Sequence, residues 1–337
     1  MTGLQLKLST AFTNTALPVL YADEIMSTGS LVLIDPTHPY APWVAGVPAN
    51  NALVPNIAAQ TARTLLAASS DDAVSAVAFN PGTMTGSAGL LERTGKGGMA
   101  VIAPQGGMAI AGSGLAIAMR NNLTSYILAN ATHSYFASVW MRLTRSAAAA
   151  YGNDTTFGIN GNGQQTNSTL VNIAPNPTTT SSFNIKPGSG GPHTLGIRTP
   201  LSTLDNHIIN VGIGGWQTSL AGVDTRPAPL PGDGTQPATT GSYAGGTISF
   251  GSSSAVNGIG TTGATAAFIN LDPTSLSTNK DKAGSKIVYR VYVEDLTVSG
   301  RTYAQLDALD FAAYTREVLT TGGRYYGDTF TDPTTIP

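Results

Sequence analysis

The sequence predicts a mainly β protein, an antiparallel jelly-roll β-sandwich preceded by an irregular region and followed by a helix. Three observations carry that prediction. Segments of seven to eleven residues with strand composition, often alternating apolar and polar, recur between residues 119 and 300, as half-buried strands require. Gly, Asn, Asp and Pro, the residues that turns use, punctuate them. Helical composition is confined to 56–69 and 303–319. The matching division is 1–118 as an N-terminal arm or irregular region, 119–300 as the sandwich, and 301–337 as a C-terminal helix and tail.

In chain order, "LQLKLS" and "SLVLIDP" are strand-like pieces set among Pro- and Asn-rich loops. "NIAAQTARTLLAAS" (56–69) places Ile57, Thr61, Leu65 and Ala68 on one helical face. Residues 99–119, "MAVIAPQGGMAIAGSGLAIAM", are uncharged and long enough to cross a bilayer. Their Ala/Gly content, Pro104 and Gln105 read instead as short strands joined by turns.

"YFASVWMRLTR" (135–145) alternates Ala137, Val139, Met141 and Leu143 with Phe136, Ser138, Trp140, Arg142 and Thr144, so that Trp140 covers a second layer. Further strands are expected over 180–186, 193–199, 206–215, 246–252, 264–272 and 286–295. In the last of these Ile287, Tyr289, Val291 and Val293 form one apolar face; Arg290, Tyr292 and Glu294 form the other. Thr302 and Gln305 then make a capping box for a helix over about 303–319, and Gly322 and Gly323 stop it.

Only 11% of the 337 residues are charged, with a net charge of −2. That balance provides no basic field for nucleic acid. Weak self-repulsion favours association. With no Cys, disulfides, thiolate nucleophiles and Cys-based metal sites are excluded. "MTGLQLKLST" lacks a basic segment followed by a long apolar run, so synthesis in the cytoplasm without secretion is expected.

The motifs favour no catalysis and imply no cofactor or metal. "GIGTTG" (258–263) has the spacing of a dinucleotide loop but leads into a strand, against that fingerprint. "ERTGKGGM" (92–99) reads as a turn. His38, His133, His193 and His207 show no metal-ligand spacing. Glu294 and Asp295 are adjacent on a strand and point to opposite faces, so they do not pair as a glycosidase acid and base. Tyr151, Trp216 and Tyr243 are the candidates for stacking on a sugar, with core packing as the competing role of a large aromatic.

"LERTGKGGM" (91–99), "SYFASVWMRLTR" (134–145) and "VYRVYVEDLTVSGRTYAQLDALDFAAYTREVLTTGGRYYGDTF" (288–330), in this order, resemble virion proteins of tailed bacteriophages with a concanavalin/laminin-G-like sandwich. The resemblance implies a structural component of the virion, associated with tail or baseplate. Its partners would be other virion proteins and copies of itself. The alternatives are a carbohydrate-binding adhesin module that meets host-surface glycan, and a head decoration protein.

Fifteen of the 36 Lys, Arg, Asp and Glu residues lie between Lys280 and Asp332. Arg290, Arg301, Asp307, Asp310 and Arg316 are therefore expected to pair within or between subunits and to serve as assembly contacts.

Overall fold

In the computed structural model, residues 21–43, 45–80, 82, 84–105, 114–145, 208–216 and 284–337 are described, with Asn121 and Trp216 by backbone alone. The strands at 157–160, 169–175, 183–186, 194–197 and 265–271 are likewise described by backbone only.

The protein is mainly β, with two seven-stranded antiparallel sheets and a few helices. The strands are β1 (Ser30–Ile34), β2 (Leu53–Val54), β3 (Ala76–Phe79), β4 (Leu90–Arg93), β5 (Met99–Ile102), β6 (Leu115–Met119) and β7 (Tyr135–Arg145). Then follow β8 (Phe157–Asn160), β9 (Thr169–Pro175), β10 (Phe183–Lys186), β11 (Thr194–Ile197), β12 (Ile209–Trp216), β13 (Thr265–Leu271) and β14 (Ser285–Asp295). One sheet runs β11-β12-β7-β14-β5-β4, and β1 shares with β5 one edge of the long β14. The other runs β10-β9-β8-β13-β6-β3-β2.

The region before residue 119, expected as an irregular arm, contributes six strands to these sheets. β1 falls in the strand-like "SLVLIDP" and β5 and β6 in the short strands expected over 99–119, whereas β2, β3 and β4, two to four residues long, are too short for alternation to show in the sequence. Met99–Ile102 and Leu115–Met119 fall in different sheets, and no helix among the described residues is long and apolar enough to cross a membrane.

Facing residues of the two sheets share one core, with Val32, Met99, Val139 and Val291 from the first and Ala78 and Ile117 from the second. The first sheet is also covered on its outer face. Phe136, Tyr292 and Leu306 form one cluster there, and Trp140, Tyr289, Tyr314 and Tyr325 another. The helix α1 (Ala59–Leu65) lies beside β1. The helix α2 (Asn121–Ala129), which the sequence reading missed, anchors Leu123 and Ile127 in the core at i,i+4 spacing. Its opening "NN" has the composition of a turn, which hides the helix.

After β14 come the short α3 (Leu296–Ser299) and α4 (Tyr303–Tyr314). The Thr302–Gln305 capping box is present, each side chain bonded to the other's backbone N–H. Residues 315–319 continue as a single wider π-type turn.

The faces of β14 differ from the simple alternation. Its register with β7 shifts between Val288 and Arg290, leaving Tyr289 as the extra residue of a bulge. Val288, Val291 and Val293 therefore point into the inter-sheet core, while Ile287 and Tyr289 join Tyr292 under the outer layer. Arg290 turns outward with them, over the Trp140 ring at 4.9 Å from its centroid.

Candidate functional site

Among the described residues, most of the charge concentrated near the C-terminal end lies inside, joined by Asp35 from the N-terminal side. Asp35, Lys286, Arg290, Glu294, Asp295, Asp307, Asp310 and Asp328 are all buried. Such groups persist in an interior only when paired or hydrogen-bonded, because an isolated charge there costs far more than a fold can sustain.

Arg290 sits at the centre, only 1% exposed. Its Nη2 donates to Asp23 Oδ1 at 2.9 Å, and Nη1 lies 3.6 Å from Asp35 Oδ2. Asp23 also meets His38 Nε2 at 3.2 Å. Asp35 accepts from Tyr325 Oη at 2.6 Å and from Arg324 Nη2 at 2.9 Å, and Arg324 Nε reaches Glu317 at 2.9 Å. Burial alone would raise both Asp23 and Asp35. At Asp23 the His38 bond and then attraction to Arg290 overcome it and hold the carboxyl well below the usual carboxylate range; at Asp35 attraction to Arg290 and Arg324 overcomes it and lowers the pKa.

Asp310 descends from α4 onto the same sheet and accepts from Trp140 Nε1 at 3.2 Å and Asn210 Nδ2 at 3.0 Å. Burial dominates here and raises its pKa despite Arg290 nearby. Glu294 is raised for the same reason and receives Arg301 Nη1 at 3.3 Å and the Tyr292 hydroxyl.

The tail continues the pattern to its end. Asp328 accepts from Tyr289 Oη at 2.6 Å and Lys96 N at 2.7 Å, and Thr331 N donates to Glu92 at 2.7 Å. Arg145 Nη1 donates to the Ile336 carbonyl at 2.7 Å. The C-terminal segment is thus tied to β4, β5, β7, β12 and β14 along one face of the sheet.

The residues expected as assembly contacts find partners in their own chain. Arg290 and Arg301 pair as above, and Arg316 pairs with Glu24 at 2.7 Å and Glu317 at 2.9 Å. Asp307 is buried beside the Tyr303 hydroxyl at 3.3 Å. Glu294 and Asp295 diverge as their strand position requires. Asp295 caps α3 through Val298 N at 3.0 Å and takes His133 Nδ1 at 2.6 Å. Tyr151 and Tyr243 lie outside the described residues, as do "GIGTTG", the expected strand at 246–252, His193 and His207. Trp216 ends β12, its side chain outside the description.

"ERTGKGGM" is the turn of the β4–β5 hairpin, with Gly97 at φ +85° and Arg93 turned back onto the Gly97 carbonyl at 2.8 Å. Among the described residues no group of three His, Asp or Glu is arranged to hold a metal ion.

An open cleft of about 560 Å³ was not foreseen. Its lining includes the apolar Tyr21, Tyr40, Leu53, Pro55 and Ile57 and the polar Gln60, Asp71 and Asp72. Hydrogen bonds brace the segments that form it. His38 binds Asp23 on one side, as described above, and Asn56 holds the other. This buried amide makes four bonds, donating to the Leu31 and Val74 carbonyls at 2.9 and 3.0 Å and accepting from Leu33 N and Ala58 N at 2.9 and 3.1 Å. Asn56→Ala leaves all four backbone groups without that partner, so a loss of about 2–4 kcal/mol is expected in urea unfolding. A loss under about 0.5 kcal/mol would show that water replaces the amide.

No family model, no curated protein and no solved structure matches this chain.

Proposed function

We propose that this chain is a non-catalytic structural component of a tailed-phage virion, associated with tail or baseplate and built on a concanavalin-like jelly roll. One observation carries the reading. The three sequence blocks that resemble such virion proteins, far apart in the chain, form one continuous layer: the β4–β5 hairpin, β7, and β14 with the C-terminal segment lie side by side. A shared layer, rather than scattered matches, is what a common architecture would produce.

Two features favour assembly. The exposed face of α4 is Ala304, Gln305, Ala308, Leu309 and Ala312, with no charge, because its Asp residues point inward. A surface of small and apolar groups lets a neighbour approach closely at little desolvation cost. Each sheet also joins early strands to late ones, β1 and β5 to β14 and β3 to β6 to β13, the long crossings typical of jelly rolls.

Mass spectrometry and electron cryomicroscopy of intact particles test the reading by locating the chain. Its absence from purified virions sinks it. Leu309→Glu, which puts a charge on the uncharged helix face, is expected to lower incorporation about tenfold without unfolding the chain, equivalent to ~1.4 kcal/mol of contact energy. Unchanged incorporation would remove α4 from the interface.

A further inference from the structure

We infer that the cleft beside β2 receives residues 4–9, "LQLKLS", from the N-terminal arm of a second copy of this chain. The inference rests on the assembly reading above and adds the contact that would link the copies.

β2 is the last strand in the order of its sheet, so its outer edge has no neighbouring strand among the described residues. Leu53 and Pro55 bracket Val54 on that edge and both line the cleft. β2 is two residues long and Pro55 has no N–H to donate, so the apolar groove, filled by alternate side chains of an extended segment, carries the contact more than the backbone of the edge. Two of the most exposed large apolar residues, Tyr40 at 72% and Leu53 at 45%, stand at this one place.

The arm has the complementary sequence. Leu4, Leu6 and Leu8 alternate with Gln5, Lys7 and Ser9, the period of a strand with one apolar side. Lys7 is the only charged side chain in residues 1–20, and the cleft lining offers Asp71 and Asp72. Arg63 neutralises Asp71 at 3.1 Å, which leaves Asp72 to attract the arm.

A second copy fits better than the chain's own arm. Tyr21 itself lines the cleft, and Pro18, three residues before it, gives Leu17 an intrinsic preference for extended backbone, against the reversal that the chain's own arm would need to enter the same cleft. The twelve residues between Leu8 and Tyr21 can span about 40 Å when extended, enough to reach an adjacent molecule.

The absence of cysteine makes a direct test possible in the full-length chain. Leu6→Cys and Leu53→Cys are made separately, mixed, and oxidised mildly. Leu53 is exposed, so its replacement leaves the core intact. The expected product is a mixed disulfide between the two variants, at least tenfold more abundant than either homodimer and distinguished from them by mass. Leu53→Cys mixed with Thr13→Cys, outside the strand-like segment, should give no such enrichment. Products in statistical proportion, or no cross-link, overturn the inference. If the double variant Leu6→Cys/Leu53→Cys gives only an intramolecular disulfide, the chain's own arm fills the cleft and the inference also fails. Failure of cross-linking in a chain that is nevertheless found in particles removes this contact alone, whereas absence from particles removes the assembly reading.

Discussion

Arg290→Met is expected to destabilise the protein by about 3–5 kcal/mol, the cost of removing one partner from a buried ionic group. The substitution preserves much of the side-chain volume over Trp140, so packing loss is small and the effect reports charge. Asp23, Asp35 and Asp310 then lose their shared cation, and Asp35 keeps only Arg324. Urea unfolding at neutral pH measures the loss. The companion variant Arg290→Lys separates charge from geometry: one ammonium cannot serve Asp23 and Asp35 while stacking on the indole, so it should recover only part of the stability. A loss below about 1 kcal/mol for Arg290→Met would mean that water already screens the cluster.

The second large effect is acid unfolding. Asp23 and Asp35 have folded pKa values depressed below their unfolded ones, so their stabilisation is fully present above the unfolded value of about 3.9. It disappears as the pH falls through that value toward the lower folded ones. Asp310 and Glu294 act in the opposite sense, since their folded values are raised. They gain protons in the fold before they would in the unfolded chain, so their contribution improves as the pH falls toward ~4. The urea midpoint should therefore hold or rise slightly on acidification to about pH 4–5, then collapse below about pH 4. Asp35→Asn should lower the midpoint at pH 7 and flatten the acid limb. A wild-type midpoint unchanged between pH 5 and pH 2.5 would refute the assignment.

Some of this architecture is legible in the sequence because the signals are local. β7 follows its period-two pattern from end to end, and Trp140 is covered on the face that the alternation assigns it. The capping box is set by two residues three apart, and α4 begins where they place it. The outer face of β14 is not legible, because a bulge is a property of pairing with β7: one extra residue at Tyr289 reverses the phase of Ile287 and Tyr289 relative to Val291. Among the strands before residue 119, β2, β3 and β4 are equally hidden, since a two-residue strand such as β2 exists only through its neighbour β3.

For the candidate site, the position of the charges was readable and their direction was not. Asp307 and Asp310 are expected from the sequence to pair within or between subunits, and nothing in their local pattern shows that both are buried under α4. Nothing local indicates that Asp23 and Asp35, more than 250 residues away from Arg290, are waiting for it. The cleft likewise needs β2, α1 and the 21–43 segment brought together before it exists.

The placement of β1 against β14 has a consequence for synthesis. Ser30 is made early, yet its strand partner Glu294 leaves the ribosome only after some 260 further residues have been added. At roughly 5–20 residues per second that interval is about 13–50 s. Throughout it β1 has no β14 to join; β5 and β7 wait in the same way once they are made, with Phe136, Trp140 and the unmatched strand edges open to any passing chain. Closure of the sheet is therefore an event after translation, slow because its contacts are so distant in sequence. During that wait the exposed apolar surface and unpaired strand edges make the nascent chain prone to aggregate.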